Sequence, residues 1–363
     1  MTGTSRLVET LEWLINIPSV TRDEQQIADL VQHRLAQNSA QLVRRWRHGL
    51  LATPLGKSPK LLLVGHLDTV PPSALQTRRR EGGRVYGCGA SDMKAGVAVM
   101  LELFEQQPEA PVAYLFYDRE EGPLAENGLL PLLDLLPPPA QPTTESDGSG
   151  PPSRLGLPAV VLEPTNNEVQ VGCVGSFHLA VRFQGVRSHA ARPWQGRNAI
   201  YEALPLLEYL AHRAPDDIQV QGQNFRQVIT PTIMSTPTLA NAVPEEARIN
   251  LNIRFAPGID HQSLIDEVAG QAGPHATVKL LDVAPAGAVC HTEPLFAAWI
   301  AERGLTVTPK QAWTDVAQLT ARGYPAVNFG PGEPAQAHQP DEWTPEAALE
   351  ECYQHLLALL LQS

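Results

Sequence analysis

The chain has no paired cysteines. Cys88, Cys173, Cys290 and Cys352 stand far apart with no Cys-x-x-Cys among them. This excludes a disulfide framework and reads as reduced thiols in a cytoplasmic protein. Basic charge is also short: 27 Lys and Arg against 39 Asp and Glu leave a net charge of -12, which argues against nucleic acid or an anionic membrane surface as partner. No run is long and apolar enough to span a bilayer. The first residues, MTGTSRLVETLEWLINIPSV, lack a basic start and a long apolar core, so they do not read as a signal peptide. The chain does have 363 residues, 43% of them hydrophobic, enough for a sizeable core in one large or two ordinary domains.

Apolar runs and helical spacings alternate along the first half. Leu7, Leu11, Leu14 and Ile15 predict an amphipathic helix. Thr21 and Glu24 have capping-box spacing ahead of a second helix carrying Ile27, Leu30, Val31 and Leu35. Buried strands are expected at Leu61–Val64, Val112–Tyr117 and Ala159–Leu162, with a helix through Val97–Phe104 between the first two. That alternation implies a parallel sheet flanked by helices. The Pro-, Ser- and Gly-rich stretch 136–158 reads as an extended surface loop. After about Gly175 the pattern changes: Leu179, Val181 and Phe183 alternate with polar or small neighbours, as in a half-exposed antiparallel strand. A helix over Ile200–Leu210, strands over Val228–Ile233 and Ala247–Phe255, and a helix near Ser263–Val268 follow. The expected fold is therefore α/β: a mixed, largely parallel sheet flanked by helices, formed by 1–174 and 286–363, with an α+β domain inserted over 175–285. A last helix is expected after Thr344 as N-cap, with Pro345 at its first position.

Acidic and histidine residues cluster where these strands end. His66 and Asp68 are two apart, so in extended chain they share a side; an imidazole could bind metal with the carboxylate behind it. Asp92 lies in YGCGASDMKAG at a loop-to-helix junction, suited to bridging two cations or simply to capping the helix. Glu120 and Glu121 are adjacent carboxylates at a strand end, and a cation would relieve their repulsion. One of them can bind metal while the other moves a proton. Glu163 ends the third strand, and His338 follows the GPGEP loop. Each alone is equally a hydrogen-bonded strand-end histidine, a solvated acidic turn or a surface carboxylate. Together they fall beyond the strand ends of one sheet, where an open α/β fold gathers its ligands.

GHLDTVP, YGCGASDMKAG, the paired glutamates, LEPT, SHAARP and GPGEP followed by His338 also occur in one familiar order. The chain resembles the di-zinc metallopeptidases that include aminoacylase, acetylornithine deacetylase and succinyl-diaminopimelate desuccinylase. The resemblance covers nearly the whole chain. Within that family the likeness is to desuccinylases of Gram-positive type, through FYDREEG, GCVGSFHLAV and NIRFAP. It implies a zinc-exopeptidase-like fold and two zinc ions per subunit, with cobalt as a possible substitute. Asp92 would bridge the ions, His66 and Glu163 would complete one, and Glu121 and His338 the other. Asp68 would support His66, and Glu120 would be the general base and acid. His189, in the inserted domain, would reach the active site of the partner subunit and steady the oxyanion there, and that domain would make the homodimer. Asn241 and Arg254 would contact substrate carboxylates, although a polar cap and a surface arginine explain those two equally well.

The implied reaction is hydrolysis of an N-acyl amino acid, N-succinyl-LL-2,6-diaminopimelate. Deacetylation of acetylornithine, release of lysine or ornithine from an amino-group carrier protein, and peptide aminopeptidase action are the enzyme alternatives. A catalytically inactive dimeric binding protein is the non-enzyme one. The 136–158 stretch is longer than the family pattern.

Overall fold

Four apolar runs form the middle of one sheet. In the computed structural model, which describes residues 5–136 and 156–363, strands Val112–Tyr117, Leu61–His66, Ala159–Val161 and Ala326–Asn328 lie side by side in that order and run parallel. All their residues are buried, which is why they read as continuous apolar runs rather than alternating ones. Strands Gly49–Pro54 and then Gln41–Trp46 extend the sheet antiparallel on one side. On the other, Val169–Val171 adds antiparallel to Ala326–Asn328, and Val307–Pro309 completes eight strands. Helix Lys94–Gln106, buried from Lys94 to Phe104, packs on the central strands and against helices Arg6–Ile15 and Glu346–Gln362.

The chain divides into two compact units. One comprises Met1–Val171, Cys290–Thr308 and Gln318–Ser363; the other comprises Gly172–Val289 and Pro309–Ala317. The second unit carries a five-stranded antiparallel sheet in the order Asp216–Val220, Gln223–Ser235, Glu246–Phe255, Gly175–Gln184, Ala276–Ala284. Phe177, Leu179, Val181 and Phe183 turn one face inward and meet Leu206, Leu264 and Val268 from helices Leu204–His212 and His261–Ala272.

Three local expectations fail. The helix expected over 200–210 is two pieces, Ala199–Glu202 and Leu204–His212, the second with Pro205 in its first turn, where a missing N–H does least harm. Thr21 does not cap the second helix, which starts at Gln25; its hydroxyl donates to Asp68 instead. Thr344 does not cap the last helix. It sits in a short strand, Trp343–Pro345, and its hydroxyl donates to the Ala90 carbonyl. Most of the 136–158 stretch lies outside the described residues. Among those described, no helix is long and apolar enough to cross a membrane.

Candidate metal centre

The carboxyl ends of the four parallel strands deliver the site. His66 is the last residue of its strand, Glu120 and Glu121 follow Tyr117, Glu163 follows Val161, and the loop leading to His338 follows Asn328. Asp92 precedes helix Lys94–Gln106 but does not cap it: the N-cap is Met93, with no side-chain cap bond. The Asp92–Met93 peptide is cis.

These side chains converge. The donor atoms of His66, Asp92 and Glu163 lie within 4.8 Å of one another, as do those of Asp92, Glu121 and His338, and those of His66, Glu120 and Glu121. Asp92 belongs to the first two groups, and its two oxygens divide between them. Oδ1 is 3.1 Å from His66 Nε2, and Oδ2 is 3.7 Å from His338 Nε2. His338 Nε2 also lies 3.0 Å from Glu121 Oε1.

The neighbours of these groups fix them in place. The nearer partner of His66 Nδ1 is the main-chain carbonyl of Asp68, at 2.9 Å, while the Asp68 carboxylate stands 3.5 Å away. That carboxylate accepts the Glu120 and Glu121 N–H groups at 3.0 and 3.1 Å and the Thr21 hydroxyl at 2.9 Å. Asp68 therefore holds the paired glutamates as directly as it holds His66. Buried Asp118, just before them, is clamped by Arg47, which also donates to the Glu126 carbonyl. The glycines of GPGEP permit close approach: a Cβ on Gly330 would lie 2.5 Å from the Leu162 and Glu163 carbonyl oxygens, and one on Gly332 would lie 2.2 Å from Ser91 Oγ.

Charge is concentrated in the site. Burial opposes a charged His66, but hydrogen bonds to Asp68 and Asp92 and the charge of Glu120 raise its pKa well above the usual imidazole value. Burial and the neighbouring Asp92 push the Glu121 carboxyl up. Crowded carboxylates around two imidazoles are what a cation would neutralise.

The other predicted residues lie in the second unit. His189 pairs with Ala242 across the short ladder Ser188–His189 and Ala242–Val243 and is exposed. Asn241 is exposed, and its carbonyl accepts the Ala190 N–H. Arg254 lies in strand Glu246–Phe255, where its Nε donates to Asn252 Oδ1 at 3.0 Å. Burial lowers the Arg254 pKa, and among the described residues no acidic partner offsets it.

Residues 62–362 match the model of peptidase family M20/M25/M40. The chain belongs to that family. Like other M20 hydrolases, it acts on amide bonds with the help of metal. A Corynebacterium glutamicum succinyl-diaminopimelate desuccinylase is 32% identical over 349 residues, 92% of this chain and 90% of that one. A Mycobacterium tuberculosis protein provisionally given the same name is 34% identical over 93% of both chains. Two solved structures share the fold at low identity. Aminopeptidase PepT from Bacillus cereus has a TM-score of 0.75 and 17% identity, covering 98% of each chain. A dinuclear metal-binding M20 peptidase from Bacillus subtilis has a TM-score of 0.68 and 14% identity, covering 98% of this chain and 97% of that one.

The donor set of this M20 chain fits such a metal centre. It offers imidazole nitrogens and carboxylate oxygens, the ligands of catalytic zinc, in two groups joined by one carboxylate. One contributor escaped the sequence reading. Glu342 is buried, and its carboxylate accepts the N–H groups of Gly89, Ser91 and Asp92 at 2.9, 2.6 and 2.8 Å. Burial pushes its pKa up to about 7 against the pull of those donors. The only hint in the sequence is an acidic pair, Asp341–Glu342, close behind His338.

Proposed function

We propose that this hydrolase cleaves N-succinyl-LL-2,6-diaminopimelate to succinate and LL-2,6-diaminopimelate, using two zinc ions per subunit, for which cobalt can substitute. The observation that carries the metal assignment is the split of the Asp92 carboxylate between His66 and His338. Asp92 would bridge the ions, with His66 and Glu163 on one and Glu121 and His338 on the other. The substrate assignment leans on the names of the two actinobacterial relatives. When bound, the ions would lower the pKa of a water and polarise the succinyl carbonyl.

The chain's own groups do the rest. Glu120 is close to His66 and Glu121 yet belongs to neither metal-bridging group. It takes the proton of the attacking water as the new carbon–oxygen bond forms, then gives that proton to the leaving amine as the amide bond breaks. Asp68 keeps Glu120 and His66 in register. His189 Nδ1 accepts the Ala191 N–H at 3.0 Å, so the neutral ring carries its proton on Nε2. That N–H donates to the oxyanion of the tetrahedral intermediate. Arg254 and Asn241 bind substrate carboxylates. A partly buried guanidinium that no acid offsets among the described residues suits that task.

The catalytic domain would be 1–174 with 286–363, and 175–285 would serve as lid and homodimer contact. Exposed Trp194, Tyr201, Leu204, Ile233 and Leu239 in the second unit supply apolar surface for such a contact. The protein would work in the cytoplasm on a small-molecule substrate.

The test is turnover by zinc-loaded protein of N-succinyl-LL-diaminopimelate beside N-acetylornithine. Preference for the succinylated substrate by a hundredfold or more, about 2.7 kcal/mol of discrimination, is expected. Turnover of acetylornithine alone would keep the chemistry and overturn the substrate.

A further inference from the structure

We infer that Glu342 is a positioning residue for the metal centre: its carboxylate grips the main chain of the loop Gly89–Asp92 and so fixes where Asp92 presents its two oxygens. This rests on the reading of Asp92 as the shared ligand. Three N–H groups converge on Glu342, Gly89 on one carboxylate oxygen and Ser91 and Asp92 on the other. Successive N–H groups turned to one point form a concave anion-binding nest. The acceptor that fills it comes from the segment that carries His338. One side chain thus ties the Asp92 loop to the loop of a second ligand, across about 250 residues of sequence.

The same two segments are joined without that carboxylate. The Gly87 N–H donates to the Glu342 main-chain carbonyl at 3.0 Å. Trp343 pairs with Tyr86, and Thr344 with Val85, in an antiparallel ladder. The Thr344 hydroxyl donates to the Ala90 carbonyl at 2.6 Å. These bonds hold the strand and the first part of the loop. Thr344 reaches the loop at Ala90, and the Ser91 hydroxyl donates to the Glu333 carbonyl at 3.2 Å; the Glu342 side chain adds the main-chain N–H groups of Gly89, Ser91 and Asp92, the last of them on the ligand itself. Its role is therefore separable from folding. Glu342→Gln keeps one oxygen acceptor but turns an NH2 group toward at least one N–H of the nest, so Asp92 loses its fixed seat while the ladder stays.

The experiment uses full-length protein stripped by a chelator. Zinc affinity is measured by competition with a chromophoric chelator for wild type, Glu342→Gln, Glu342→Ala and, as control, Asp92→Asn. Thermal melting of each metal-free protein is followed in parallel. Groups behind metal ligands typically change affinity about 10- to 100-fold. Glu342→Gln is expected to bind zinc at least about tenfold more weakly, while its metal-free melting falls by only the few degrees that one orphaned N–H costs. Glu342→Ala should weaken binding further. If Glu342→Ala does not fold, Glu342→Gln decides alone. Lower metal-free melting with unchanged zinc affinity in the Gln variant would make Glu342 a structural residue only and overturn the inference. Unchanged affinity in Asp92→Asn would overturn the ligand assignment beneath it. Weakened binding in Asp92→Asn with wild-type affinity in Glu342→Gln would overturn the inference alone.

Discussion

Replacing Asp68 with alanine should destabilise the metal-free protein, because its carboxylate is the acceptor for the main chain of both glutamates. The Glu120 and Glu121 N–H groups, at 3.0 and 3.1 Å, lose their acceptor. The Thr21 hydroxyl does not, since the Thr69 carbonyl lies 3.4 Å from it. Each orphaned donor costs about 1–3 kcal/mol. Glu120 and Glu121 are only partly buried, which favours the lower end and a total of roughly 2–4 kcal/mol. In a domain of this size each kcal/mol lowers Tm by about 2–4 °C, so a drop of roughly 4–16 °C is expected by calorimetry in the presence of a chelator. Asp68→Asn, which keeps one acceptor oxygen, should fall about half as far.

The pH dependence has a definite sign. Burial raises the Asp68 pKa, but His66, the Glu120 N–H and Thr21 pull it down further, so it lies below the ordinary carboxylate value. A carboxylate with a depressed folded pKa contributes stability above its unfolded pKa and loses it as pH falls through the folded one. The gap between wild type and Asp68→Asn should therefore be full near neutrality and close below about pH 3.9. A metal-free Asp68→Ala protein that melts with wild type at pH 7 would refute the clamp.

Three further outcomes follow from the same geometry. Glu120→Gln should keep its zinc content and lose about 10²–10⁴-fold in kcat; near-wild-type turnover would remove Glu120 from proton transfer. Because His66 has a raised pKa in the metal-free chain, zinc must displace its proton. Calorimetric binding heats at pH 7 should therefore depend on the ionisation heat of the buffer, and identical heats in two buffers would contradict this. Arg47→Ala leaves buried Asp118 without its partner and should destabilise by about 3–5 kcal/mol, read by urea unfolding; a change within error would show that Asp118 is held some other way.

The parallel centre of the sheet was legible because fully buried strands have a local signature, unbroken apolar runs such as Leu61–Val64 and Val112–Tyr117. The candidate ligands were legible for the same reason, since a strand that can be located also locates its end. What could not be read is which long-range partner claims a polar side chain. Thr21 and Thr344 both carry local capping signals, and both hydroxyls are taken by distant acceptors, Asp68 and Ala90. A cap contributes only about 1 kcal/mol, so a buried tertiary acceptor outbids it easily. Glu342 escaped altogether, because nothing in the residues around it reveals a nest of N–H groups far away in the chain.

The most direct test of the account is the number and position of bound metals. Zinc per chain should be measured by elemental analysis, and anomalous diffraction at the zinc edge collected from the same loaded protein. Two ions per chain are predicted, one beside His66 and Glu163, the other beside Glu121 and His338, with Asp92 reaching both. A single ion, or zinc bound away from Asp92, would contradict the dinuclear centre.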